Sequence, residues 1–382
     1  MEAGRGLTVM PDAARQGYGM SLTYDEGQLA IAAQSRRVLE ARSDLAGMLA
    51  LLEQKANFHT GFWKTAQEQG WCGIAIPEAH GGLGLGLIEL GIVAHQVGRN
   101  LAGAPFLTGS FGVARALLAD GSDTLQARWL PDLASGAAIG AVAFAEGQAV
   151  LPARSALEFS RGTLTGRKPA VSGGMHADVA VVLASDRGVP VLALVALEEV
   201  TRTPLATFDN SRCSAEVIFA DTPAIELARA DAALASARQV LAHQAVATAH
   251  EQTGGAEALM ERARDYALTR RAFGQPIGAF QSVKHRIAEL YVLVELARAA
   301  AIHAATRDGQ DDFVLATAAA RIQATEAYDT AARDAMQVHG GIGVTWESGL
   351  HLHMRRARSL ANEQGNILFW EDLLVDALAG AA

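Results

Sequence analysis

The sequence predicts an α+β fold in three parts: a helical N-terminal domain, a small central β domain and a C-terminal helical bundle. Two changes of texture carry this expectation. Apolar residues recur three and four apart up to about residue 135, give way to short apolar runs separated by Gly, Pro, Asp and Ser, and return to the helical period near residue 225. Residues 1–20 carry Glu2, Arg5, Asp12 and Arg15 without the apolar core of a signal peptide, so a flexible tail is expected there. In 21–135, Leu45, Met48, Leu49 and Leu52 mark one helical face. In 136–224, the runs 138–144, 179–184, 191–195 and 217–219 read as strands. In 225–382, Val283, Ile287, Leu290, Val294 and Ala297 form a single stripe of the kind that long helices bury in a bundle.

Composition narrows the functions available. A chain of 382 residues that is 50 % hydrophobic can bury several cores, which excludes a disordered protein. A net charge of −9 with 32 Lys and Arg, and no basic run, argues against a nucleic-acid partner. Cys72 and Cys213 are the only cysteines; they give neither a disulfide framework nor a metal-ligand spacing, so no metal is expected and a reducing, cytoplasmic location is. The apolar stretch 292–301 is broken by Glu295 and Arg298, well short of the roughly 18 uninterrupted apolar residues of a membrane span, so no membrane insertion is expected.

One segment stands out chemically: Tyr266-Ala-Leu-Thr-Arg270-Arg271-Ala-Phe273-Gly274-Gln275-Pro276-Ile277, followed by Phe280-Gln281-Ser-Val283-Lys284-His285. It reads as a helix ending at Phe273-Gly274, a turn fixed by Pro276 and a new helix from about Phe280. A guanidinium at such a corner suits a pyrophosphate, because its planar fork bonds two oxygens at once. An Arg-rich helix end can equally be a solvated terminus favoured by the helix dipole. The glycine run 81–86 lacks a surrounding βαβ unit and reads as a loop, whereas Gly340 and Gly341 follow a helix and could let backbone N–H groups approach a cofactor closely.

Taken whole, this string resembles the acyl-CoA dehydrogenase pattern Tyr-x-x-x-Arg-x-x-Phe-Gly-x-Pro-Ile, then Phe-Gln-x-Val-x-His. Two further segments are similar to signatures of the same family: Gln337-Val-His339-Gly340-Gly341-Ile-Gly343-Val-Thr345-Trp-Glu347, and Gly70-Trp71-Cys-Gly73 continuing to Pro77-Glu78 and Gly81-Gly82-Leu-Gly84. The resemblance implies a central β-barrel or sandwich, a C-terminal four-helix bundle, and FAD held between subunits. Arg270, Phe273, Gln281, Gln337, Gly340 and Gly341 would cradle its pyrophosphate, and Ser172 would touch the flavin. It further implies an acyl-CoA substrate, electron transfer to an electron-transfer flavoprotein, and a homo- or hetero-oligomer built as a dimer of dimers.

The departures from the family matter as much. Ala145 stands where a flavin-contacting Thr is usual, and Ala170-Val171-Ser172 replaces a Trp-Ile-Thr string, so the flavin face is expected to be open and the acyl group bulky, branched or ring-bearing. The base that removes the α-proton is a carboxylate in the family. Counting from the motifs, the two positions that supply it fall on Gln364 and Gln244, which makes the chain a divergent member without the usual C-terminal glutamate. Glu251 lies two helical turns beyond Gln244 on the same face and is the candidate catalytic residue; Glu363 is the alternative, one residue out of register. Three functions stay open: an acyl-CoA dehydrogenase with a non-standard base, a catalytically silent partner subunit of a hetero-oligomeric dehydrogenase, and a flavin-dependent monooxygenase component.

Overall fold

The computed structural model describes residues 24–42, 44–54, 57–103 and 106–380; the expected tail at 1–20 lies outside them. The N-terminal part contains α1 (Glu26–Ala41), α2 (Leu45–Glu53), α3 (Thr60–Glu68), α4 (Leu87–Arg99), α5 (Phe106–Asp120) and α6 (Asp123–Ser135). Local chemistry starts these helices. The Asp25 carboxylate accepts the Gln28 N–H at 2.8 Å, and the Gln28 side chain accepts the Asp25 N–H in return, a capping box that opens α1.

The β domain holds β1 (Gly140–Ala143), β2 (Glu158–Ser160), β3 (Thr163–Val171), β4 (Val179–Asp186), β5 (Val189–Ala196), β6 (Thr201–Pro204) and β7 (Ala215–Arg229). Their order is β1-β4-β2-β3-β7-β5, and β5 also pairs with β4, so the path closes into a small barrel with β6 added beside β7. Closure explains why β4 and β5 are buried on both faces and read as continuous apolar runs. β7 runs on past Pro223, which lies opposite Thr163, to Arg229, so the sheet ends later than the return of the helical period suggests.

The C-terminal part is built on α7 (Asp231–Thr269), α8 (Gln281–Thr306) and α9 (Phe313–His339), completed by α10 (Leu350–Leu360) and α11 (Ile367–Gly380). The 39 residues of α7 span about 58 Å at 1.5 Å each, and α7 packs against α4, α5, α8 and α9. Small residues permit the close approach to α4: a Cβ on Gly98 would strike the carbonyl oxygen of Glu251, and one on Gly254 would strike that of His95. That contact seals the middle of α7 away from solvent. Among the described residues no helix is long and apolar enough to cross a membrane.

Candidate functional site

A cleft of roughly 500 Å³ opens where α5, the β domain, α7 and the α10–α11 turn meet. Gln244 from α7 and Gln364 from the turn both line it, so both positions expected to carry a base are present in the cleft as amides. Gln364 has φ +55°, in the left-handed region that non-glycine residues rarely adopt, and Gly365 follows at +101°. The Thr248 hydroxyl donates to Gln364 Oε1 at 2.9 Å, and Gln244 Nε2 donates to the carbonyl of Thr108 at 3.1 Å.

Glu363 is the only carboxylate among the described residues lining the cleft. Arg212 forks onto it, Nε to Oε1 at 2.8 Å and Nη2 to Oε2 at 2.7 Å, and the Ser172 hydroxyl donates to Oε1 at 3.1 Å. Burial pushes the Glu363 carboxyl up, but the charge and hydrogen bonds of Arg212, with Ser172, overcome this and hold it below the usual carboxylate range. Ser172, expected against the flavin, is thus turned toward Glu363.

Glu251 is 4 % exposed and does not line the cleft. It sits behind the wall, accepting from Arg212 Nη1 at 3.2 Å and from Arg356 Nη1 at 2.9 Å. Arg356 in turn holds Asp209 at 2.5 Å and the Ser211 hydroxyl at 3.0 Å. The structure therefore joins Glu251 and Glu363 through one guanidinium and brings only Glu363 to the cleft. Arg212 and Arg356 were missed in the sequence, where an arginine carries no sign of burial, whether it stands alone like Arg212 or beside Arg355 and Arg358 like Arg356. Lys168 was missed too: fully buried on β3, its ammonium bonds Glu146 at 2.6 Å, the Phe144 carbonyl at 3.0 Å and Ser155 at 3.3 Å. Burial pulls the Lys168 amine down to about 8, against the opposing pull of Glu146. These bonds fix the segment that presents Ala145 to the cleft.

The second place lies at one end of the helical bundle. α7 stops at Thr269, Arg271–Ala272 pairs with Gln275–Pro276 as a minimal hairpin, and Phe273 (φ +51°) and Gly274 (φ +84°) make its tip. Phe273 is 97 % exposed. Arg270 is exposed and has no side-chain partner among the described residues, and Gln281 and Gln337 are also exposed. The Tyr266 ring stacks on His339 with centroids 4.2 Å apart, which brings the Arg270 corner and the Gly340–Gly341 turn to the same end of the bundle. A Cβ on either glycine would meet nothing within 4 Å. An unpaired guanidinium, two side-chain amides and open glycine backbone fit a diphosphate-bearing cofactor such as FAD lying on this surface, with a second surface needed to cover it.

A sequence model described as the acyl-CoA dehydrogenase N-terminal domain matches residues 25–137, and one for the C-terminal domain matches residues 234–367. The acyl-CoA dehydrogenase IpdE2 of Mycobacterium tuberculosis is 33 % identical over 320 residues, covering 83 % of this chain and 86 % of its own length. Two solved structures at 25 % identity share the fold. A variant of the Tcur3481-Tcur3483 steroid ACAD has a TM-score of 0.82 over 93 % of this chain and 98 % of its own. The ChsE4-ChsE5 complex from Mycobacterium tuberculosis has a TM-score of 0.83 over 94 % and 99 %.

Proposed function

The chain belongs to the acyl-CoA dehydrogenase family, and from that premise we propose that it works as one subunit of an FAD-dependent acyl-CoA dehydrogenase built from unlike chains. In this reading it lends the Arg270 corner to the flavin of a sister chain, while its own cleft removes no proton. One observation carries the proposal: Glu363, the single carboxylate among the described residues lining the cleft, is forked by Arg212 and capped by Ser172, and the two positions where a base is usual are amides. An amide cannot accept the α-proton, and a carboxylate held in a bidentate guanidinium pair is a weakened base. Glu251 serves here as counter-ion to Arg212 and Arg356, instead of as the proton acceptor that the helix face suggested.

Bound FAD supplies the acceptor for the hydride leaving Cβ. The chain's own contribution is binding. Arg270 would bind the diphosphate, Gln281 and Gln337 would donate beside it, Phe273 would cover an apolar edge, and the open backbone at Gly340 and Gly341 would allow close approach. The sister chain accepts the α-proton, and an electron-transfer flavoprotein collects the electrons. Likeness to a steroid-type relative supports a bulky, ring-bearing acyl-CoA as substrate of the assembly. Two free, buried cysteines suit work in a reducing cytoplasm.

Native mass spectrometry of the purified assembly tests the reading, because it reports subunit identity and FAD count together. The expected result is a complex of this chain with a different one, carrying FAD. An assembly of this chain alone that binds FAD stoichiometrically and oxidises an acyl-CoA would overturn it. The place of Glu363 in the cleft lining favours one other reading, in which the chain is active and Glu363 is the base; Glu363→Gln would then abolish turnover in such an assembly.

A further inference from the structure

The strained turn between α10 and α11 is held from inside the helical bundle. Gln364 (φ +55°) and Gly365 (φ +101°) follow one another at positive φ, and for a glutamine that conformation persists only where its surroundings impose it. Arg321, on α9 and 1 % exposed, supplies the constraint. Its Nη2 donates to the carbonyl of Leu360 at 2.8 Å and to that of Glu363 at 2.9 Å, with the carbonyl of Gly365 at 3.5 Å. The first of these oxygens ends α10, where a helix leaves carbonyls without partners. The other two stand on either side of Gln364, so one guanidinium nitrogen brackets the left-handed residue. Nη1 donates to Gln252 Oε1, which ties the guanidinium to α7.

This placement is costly. Burial pulls the Arg321 guanidinium down to about 10, with Glu363 and Glu251 opposing. Its Nε is buried without a partner. An arginine kept for charge balance would meet a carboxylate; the hydrogen bonds of this one go to backbone carbonyls and one amide. What hangs on the turn is the direction of its side chains, since Glu363 faces Arg212 and Ser172 while Gln364 faces Thr248. A backbone rotation at 364 would redirect both.

We infer that Arg321 is a positioning residue: by bracketing Gln364 it fixes the α10–α11 turn so that the Glu363 carboxylate stays engaged with Arg212 and is not free in the cleft. Its meaning for the reaction rests on the proposed function, in which Arg321 keeps the carboxylate of the cleft lining from serving as a base. The geometry of the turn does not depend on that reading.

Carboxylate footprinting and hydrogen exchange, both read by mass spectrometry on the whole assembly with its sister chain and FAD, test the inference. A water-soluble carbodiimide with glycinamide labels carboxylates that are free of partners. In Arg321→Gln, Glu363 should be labelled about fivefold faster and the amides of 361–366 should exchange about tenfold faster, while Glu251 and the amides of β4 and β5 stay as they were. Arg321→Lys, which keeps the charge and three donors, should bring both rates back to within about threefold of the unsubstituted chain, with any remaining rise confined to Glu363 and 361–366. That confinement keeps the test decisive if the glutamine variant does not fold. Unchanged rates in Arg321→Gln, or a rise in either variant spread evenly over the chain, would overturn the inference. Either result would leave the proposed function standing, since that fails on flavin bleaching by the chain without its sister.

Discussion

The Arg270 corner and the interior behind the cleft make an instructive pair, since each presents charged groups of the kind a flavoenzyme uses. At the corner, Arg270 is exposed and unpartnered among the described residues, Phe273 stands in solvent, and the glycines face open space. In the interior, Asp209, Arg212, Glu251, Arg356 and Glu363 are tied to one another. Groups in the first region are free to bind something from outside the chain; those in the second already serve as one another's partners. Arginine occurs in both places, and its neighbours decide what it can do.

Removing Glu251 should break the contrast most strongly. Glu251→Ala leaves the Arg212 and Arg356 guanidinium groups short of a counter-charge in a dry interior, and a loss of about 3–5 kcal/mol is expected in urea unfolding. A loss under about 1 kcal/mol would show that the interior is not wired as described.

Arg270→Ala probes the other side. Loss of a charge-assisted hydrogen-bonding group costs about 1.5–3 kcal/mol, so FAD affinity of the assembly, read by flavin fluorescence, should fall about tenfold to a hundredfold. The unfolding free energy should move by no more than about 0.5 kcal/mol, because the side chain is exposed and has no partner among the described residues.

Acid should act most strongly on the interior. Burial pulls His250 down to about 3, so the unfolded chain takes up a proton near the ordinary value of about 6.5 while the folded one resists. Stability therefore begins to fall as pH drops below about 6.5. A steeper loss is expected below about 4.5, where Glu257, Glu363 and Asp209 would protonate in the unfolded chain; the folded values of all three are depressed, because nearby charges and hydrogen bonds outweigh burial. Melting temperatures from pH 8 to pH 4 would check the sign, and a flat profile would contradict it. The smallest effect belongs to Phe273→Ser, with a stability change within about 0.5 kcal/mol by thermal melting and a modest loss of FAD affinity.

Much of the fold was readable because burial on both faces leaves a continuous mark: 179–184 and 191–195 are apolar runs, and they are β4 and β5. Only the end of β3, at Ala170-Val171, was noticed, because Gly166, Lys168 and Pro169 interrupt its pattern, and a charge pointing inward has no signature until its partner Glu146, 22 residues away, is brought beside it. The site divides in the same way. Gln244 and Gln364 were located by counting from motifs, and both line the cleft. The helical stripe placed Glu251 two turns from Gln244, yet nothing local foretold that Arg356, 105 residues on, would claim it, or that Gly98 would let α4 seal it in. Pairing between distant segments is a property of the assembled fold, and periodicity does not encode it.

The division of labour between surface corner and closed interior is tested most directly by anaerobic flavin bleaching. The chain purified without any sister subunit and supplied with FAD should leave the flavin oxidised with every acyl-CoA offered, and bleaching should begin once the sister chain is added. Bleaching by the lone chain that disappears in Glu363→Gln would contradict the account.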